Sequence, residues 1–72
     1  MPDTYYAWVA MIDTDVISDE FETLSDVIDE IETSYTKEEM QAAGITFCRL
    51  LCTENTWLEC IEEKTVEDVY YF

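Results

Sequence analysis

The side chains of this 72-residue sequence that can do chemistry are carboxylates and thiols: 18 Asp and Glu, three Cys and no His. Without an imidazole there is no Ser-His-Asp or Cys-His arrangement and no His metal ligand. A paired-carboxylate mechanism needs one acid held in a dry cleft, and a chain this short has little room for one. No catalytic residue, metal site or cofactor is therefore expected, and the chain reads as a binding protein rather than an enzyme. Cys48, Cys52 and Cys60 cannot complete a four-cysteine zinc site, and their spacing lacks a close Cys-x2-Cys pair. An odd number also makes a poor disulfide framework. All three read as free, apolar-packed thiols in a reducing compartment. Asp13-x-Asp15 opens like a calcium loop, but Ile17, Ser18 and Leu24 occupy the fifth, sixth and twelfth places, where the loop needs an oxygen ligand, Gly and Glu.

The carboxylates themselves carry the stronger signal. Three basic residues leave a net charge of −15. Solubility of a small domain needs a net charge of only about 2–8, and like charges repel most when the chain is compact. With 49% hydrophobic and 14% aromatic residues the chain is expected to fold rather than remain disordered. A domain of this size buries only about 60% of its unfolded surface, so the excess charge is borne on a thin stability margin. Binding to a positive surface explains it; a globally acidic proteome, as in a salt-adapted organism, is the alternative source. Asp13, Asp15, Asp19, Glu20, Glu22, Asp26, Asp29, Glu30 and Glu32 fall within twenty residues that hold no Lys or Arg. Direct nucleic-acid binding is not expected, because Lys37, Arg49 and Lys64 are scattered and form no basic stripe.

The elements that position these groups follow from hydrophobic period. Tyr5 to Ile12 is uncharged, aromatic and β-branched. It reads as a strand apolar on both faces, either central in a sheet or meeting a partner, including a second copy of the chain. Phe21, Leu24, Val27, Ile28 and Ile31 recur at helical spacing within an arc of about 120°. They predict a helix over 18–33, capped by Ser18 or Asp15, with Asp19, Glu22, Asp26, Asp29 and Glu30 on its solvent side. Thr36 with Glu39 three places on is a capping-box pattern for a helix over Lys37–Ala43, closed by Gly44. Ile45–Cys52 and Trp57–Glu63 read as an antiparallel hairpin around the polar turn 53–56. Residues 65–72 support two readings, a short helix capped by Thr65 and Asp68 or a fourth strand. The expected fold is α+β: a small antiparallel sheet of three or four strands with two helices on one face, in the order β-α-α-β-β plus a terminal element, as a single domain over 1–72. No apolar stretch approaches the ~20 residues of a membrane span, and nothing at the start suggests export. The expectation is a cytoplasmic protein.

The candidate partner-binding set comprises the acids Asp13, Asp15, Asp19, Glu22, Asp26, Asp29 and Glu30, a second stretch contributing Glu62, Glu63 and Glu67, and the aromatic anchors Tyr35 and Trp57. Tyr70, Tyr71 and Phe72 are further anchors. The negative charge is expected to crowd onto one side of the molecule. In length, charge, absence of catalytic residues and the acid-lined segment 19–32, the chain resembles the small acidic DNA mimics of phages and mobile elements, including anti-restriction and acidic anti-CRISPR proteins. The resemblance covers the whole chain in composition but no motif, and that class has unrelated folds, so no residue role carries across. It implies a partner that is a basic nucleic-acid-binding protein or ribonucleoprotein, a CRISPR effector foremost and a restriction or other DNA-binding enzyme after it, inhibited by occlusion of its substrate site. An antitoxin-like or adaptor protein that neutralises a basic partner without mimicry is the second reading, and a dimeric accessory protein the third.

Overall fold

The uncharged run at 5–12 forms the strand its composition predicts. The computed structural model describes residues 3–71. It places β1 at Tyr5–Ile12, β2 at Asp15–Val16, α1 at Leu24–Glu32, α2 at Lys37–Ala43, β3 at Ile45–Cys52, β4 at Trp57–Thr65 and α3 at Val66–Tyr70. The strands make one antiparallel sheet in the order β2-β1-β3-β4. β1 and β3 pair along their full length, from Tyr5 opposite Cys52 to Ile12 opposite Ile45. β1 is thus internal, which is why both of its faces are apolar.

Alternation along the paired strands sends Ala10, Ile45 and Phe47 to the face that carries the helices. There they pack with Val27 and Ile31 of α1, Met40 of α2 and Val66 of α3. The opposite face gathers Ala7, Val9, Cys48, Leu50 and Cys52, with Met11 and Val16 against them. That second cluster is built from strand residues alone. No helix among the described residues is long and apolar enough to cross a membrane.

The α+β class holds, but the element order differs from the expected one by an additional short strand, β2, between β1 and α1. The helix expected over 18–33 begins only at Leu24. Its cap is Thr23, whose side chain accepts from the Asp26 N–H at 3.1 Å. Residues 15–21 are instead drawn to the free edge of β1. Ile17 donates its N–H to the Ala10 carbonyl at 2.9 Å, and Trp8 and Phe21 exchange both backbone bonds at 2.7 and 3.0 Å. Ser18, expected to cap the helix, accepts from the Ala10 N–H at 2.9 Å. Phe21 and Ile17 still pack on the core, so their helical spacing is met from a sheet edge. Satisfying the backbone donors of an interior strand outweighs one and a half more turns of helix.

Local signals elsewhere hold. Thr36 and Glu39 close both bonds of the capping box, and Gly44 ends α2 at φ 72°, the left-handed region that glycine enters without a Cβ clash. The hairpin forms around 53–56, and β4 runs on to Thr65, two residues past its expected end. Two register shifts, at Arg49/Leu50 and Leu51/Cys52, leave Ile61 and Leu58 without partners on β3 and mark β-bulges. The terminal element is a helix, because Thr65 and Asp68 complete a second capping box at 3.0 and 3.1 Å. Cys48 and Cys52 are buried as expected, but Cys60 is exposed. It lies on β4, the outermost strand of the sheet on that side.

Phe47 is fully buried at the centre of the helix-side cluster. Phe47→Ala should cost about 3–5 kcal/mol, which denaturant titration followed by circular dichroism would measure as loss of most of the stability. Burial, and then the neighbouring Cys60 thiol, push the Cys48 thiol from an ordinary 9.0 up to about 12. Above pH 9 the unfolded chain gives up this proton while the folded chain keeps it, so stability should fall steadily from pH 9 towards 12. Cys48→Ala should flatten that fall in thermal melts taken across the range.

Candidate functional site

All eighteen carboxylates are exposed. Among the described residues one ion pair forms, Lys64 Nζ to Glu62 at 3.4 Å, on the surface where such pairs contribute little. The other two cations sit over aromatic rings. Arg49 stacks 4.4 Å from the centre of Tyr6, and Lys37 lies 4.8 Å from Tyr71 and 5.6 Å from Tyr70. The folded surface therefore keeps nearly all of its negative charge unpaired. No group of three or more Cys, Asp or Glu among the described residues is arranged to hold a metal ion.

The expected one-sided acidic face does not form. With α1 beginning at Leu24, Asp19 and Glu22 leave the helix and lie on the edge segment beside β1. Asp13 and Asp15 sit at the tight β1–β2 turn, where Asp13 takes a left-handed φ of 55° that Asp tolerates better than most residues. Asp26, Asp29 and Glu30 remain on α1 as i,i+3 and i,i+4 neighbours, about 5–6 Å apart. Asp19 and Glu30 share a cleft: with Val16, Ile17, Ile31 and Tyr35 they line a space of about 450 Å³ between the edge segment and α1. Glu62 and Glu63 belong to β4 at the opposite edge, on opposite faces by register with Arg49 and Cys48. Glu67 opens α3. The acids thus occupy both edges and both faces, because strand order and the short α1 distribute them.

The aromatic anchors divide as well. Tyr35 is half-buried against the core, and Tyr70 donates its hydroxyl to Glu32 Oε2 at 2.7 Å. Burial first, then that bond and the charges of Glu32 and Asp29, push the Tyr70 phenol up to about 12. Tyr71 and Trp57 are exposed; Phe72 lies outside the described residues.

Trp57 has a role that only the fold reveals. Its indole Nε1–H donates to Glu20 Oε2 at 2.7 Å, and the Tyr5 hydroxyl donates to Glu20 Oε1 at 2.9 Å. Glu20 reaches from the edge segment to β1 and to the start of β4, linking residues 15 and 37 apart in sequence. Around it lies a pocket of about 330 Å³ whose walls include Tyr5, Trp57, Glu54, Asn55 and Thr56. The bond to the Glu20 carboxylate raises the Tyr5 phenol above its usual value, and burial, then the Glu20 charge, raises the Cys52 thiol. In the sequence Glu20 is one acid among many and Tyr5 one strand residue, and no local pattern joins either to Trp57.

No known protein family, characterised protein or solved structure matches this chain. The unpaired surface charge generates its own test. Added sodium chloride should raise the melting temperature of the free protein, because screening relieves the mutual repulsion of exposed carboxylates. A melting temperature indifferent to salt would show that this repulsion does not limit stability.

Proposed function

We propose that the protein acts by presenting the charge density of a nucleic acid to a basic nucleic-acid-binding protein or ribonucleoprotein, and that it blocks substrate binding there by occlusion. The supporting observation is a ratio. The molecule measures 43 × 21 × 20 Å along its principal axes, and every charged side chain falls within the described residues. Fifteen net charges along 43 Å give about one per 2.9 Å. A duplex carries one per about 1.7 Å of axis and each of its strands one per about 3.4 Å. The protein lies between the two, with acids at both edges of its sheet rather than on one face of one helix.

An elongated acidic body of this kind steers towards a positive groove and disfavours neutral or acidic surfaces. The reading is of a binding protein with no reaction of its own. A defence complex that grips nucleic acid, a CRISPR effector foremost or a restriction enzyme, is the proposed target class.

The test is competition. The tagged protein, loaded with the partner it captures at low salt, should release that partner to excess duplex DNA or guide RNA and to raised salt. A partner retained at saturating nucleic acid would replace mimicry with simple neutralisation of a basic protein. Reversal of Asp19, Glu22, Asp26 and Asp29 to Lys should weaken capture by about tenfold or more, as expected when several charge contacts are lost. It should also leave the circular dichroism spectrum unchanged, since none of the four is buried.

A further inference from the structure

The pocket at the hairpin end differs from the rest of the described acidic surface in one respect: both oxygens of its carboxylate are held by side-chain donors, and neither donor neutralises it. Tyr5 and Trp57 each hold one oxygen of Glu20, at 2.9 and 2.7 Å. Both donors are uncharged, so the full negative charge remains and points in a fixed direction. A carboxylate oxygen has two acceptor sites, and one bond to each leaves both oxygens able to accept again. The two rings that hold it are themselves 42% and 48% exposed and line the same pocket, with Glu54 and the Asn55 amide beside them. Among the described residues no Lys or Arg side chain lines it.

We infer that this pocket receives an arginine side chain of the protein partner, inserted between Tyr5 and Trp57 and forked onto Glu20. The inference rests on the proposed binding of a basic partner and names one contact within it. A planar guanidinium matches a carboxylate through two parallel hydrogen bonds and stacks on aromatic faces. Lysine offers a point charge without that fork. A calcium ion needs six to eight oxygen ligands, several of them carboxylate, and no three carboxylates among the described residues are grouped to hold a metal. Nucleic-acid-binding grooves are rich in arginine for phosphate contacts, so the proposed target class carries the required side chain. The pocket fixes one end of the rod, where a single oriented contact sets the register of the whole complex.

The blocked tripeptide acetyl-Gly-Arg-Gly-amide serves as probe. The chain has two tryptophans, and their indole N–H signals in an NMR titration at low salt separate the pocket from the remainder. The tripeptide should shift the Trp57 signal saturably and leave that of the half-buried Trp8 in place. The citrulline counterpart, neutral and of similar shape, should shift neither. Glu20→Gln should weaken the response by about tenfold or more, the scale of a charge-assisted pair. Glu38→Gln, which removes the same charge from α2, should change it by no more than about twofold, as for a distant screened charge. Equal loss in the two variants, or an unmoved Trp57 signal, overturns the inference. Where Glu20→Gln loosens the corner itself, Glu54→Gln keeps both Glu20 hydrogen bonds and should still weaken the response; an unchanged response in that variant counts against the pocket. Failure of the tripeptide removes the pocket and leaves competition by duplex as before. A partner that duplex cannot displace removes mimicry and leaves the pocket.

Discussion

Like-charge repulsion sets the terms on which this chain folds. A net charge of −15 on a body 43 Å long opposes compaction everywhere at once, and the apolar clusters on the two faces of the sheet must overcome it. The largest of those buried side chains are Phe47, Met40, Ile45, Val9 and Val27, contributed by β1, β3, α1 and α2. A small core of this kind has little surplus, so each element has to be anchored by something other than charge pairing. That requirement explains the length of the β1–β3 ladder, which pairs eight residues on each strand, and the recruitment of 15–21 to close the remaining edge of β1.

The anchoring groups share a feature. Glu39 and Asp68 accept from backbone N–H groups in the two capping boxes, Glu20 accepts from Tyr5 and Trp57, and Glu32 accepts from Tyr70. Each carboxylate is fixed by a neutral donor. Two of the three cations are meanwhile turned onto aromatic rings. A fold selected only for stability would place its few cations among its many acids. Here the acids are organised and left charged, an arrangement that suits a surface used for attraction.

How much of this was legible in the sequence depended on the range of the interaction that decides it. The capping box at Thr36, the left-handed Gly44, the uncharged β1 and the hairpin around 53–56 are settled within a few residues, and the sequence pattern contains those rules; at Thr65 the capping pattern competes with the aromatic run that follows it, and the sequence supports both readings. The start of α1 is not settled locally. Phe21 and Leu24 satisfy a helical period, yet Phe21 is claimed by Trp8, thirteen residues away, through two backbone bonds. The same event removed Asp19 and Glu22 from the helix and dispersed the expected acidic face. Trp57 was recognisable as an anchor by type, but its partners Glu20 and Tyr5 come together only once strand order is fixed. Cys60 looked like Cys48 and Cys52 because a strand pattern cannot say which strand is outermost.

A rod with charge on both edges and both faces differs in consequence from a flat acidic patch. A patch suits a partner that meets it face-on, and its affinity falls when any large part of that face is lost. A rod suits a groove that wraps it, and a long-range field brings partners together without fixing their relative orientation. Register must then come from short-range contacts that one orientation alone can make. The chain offers such contacts where charge and shape coincide: the cleft shared by Asp19, Glu30 and Tyr35 beside α1, and the pocket at the hairpin end, where Glu20 is held between two exposed rings. They lie in different parts of the fold and are built from different residues, so a groove that engaged both would fix rotation and translation together. On the proposed reading, dispersed charge would serve encounter and a few oriented groups would serve register, as phosphates and base edges do in a nucleic acid.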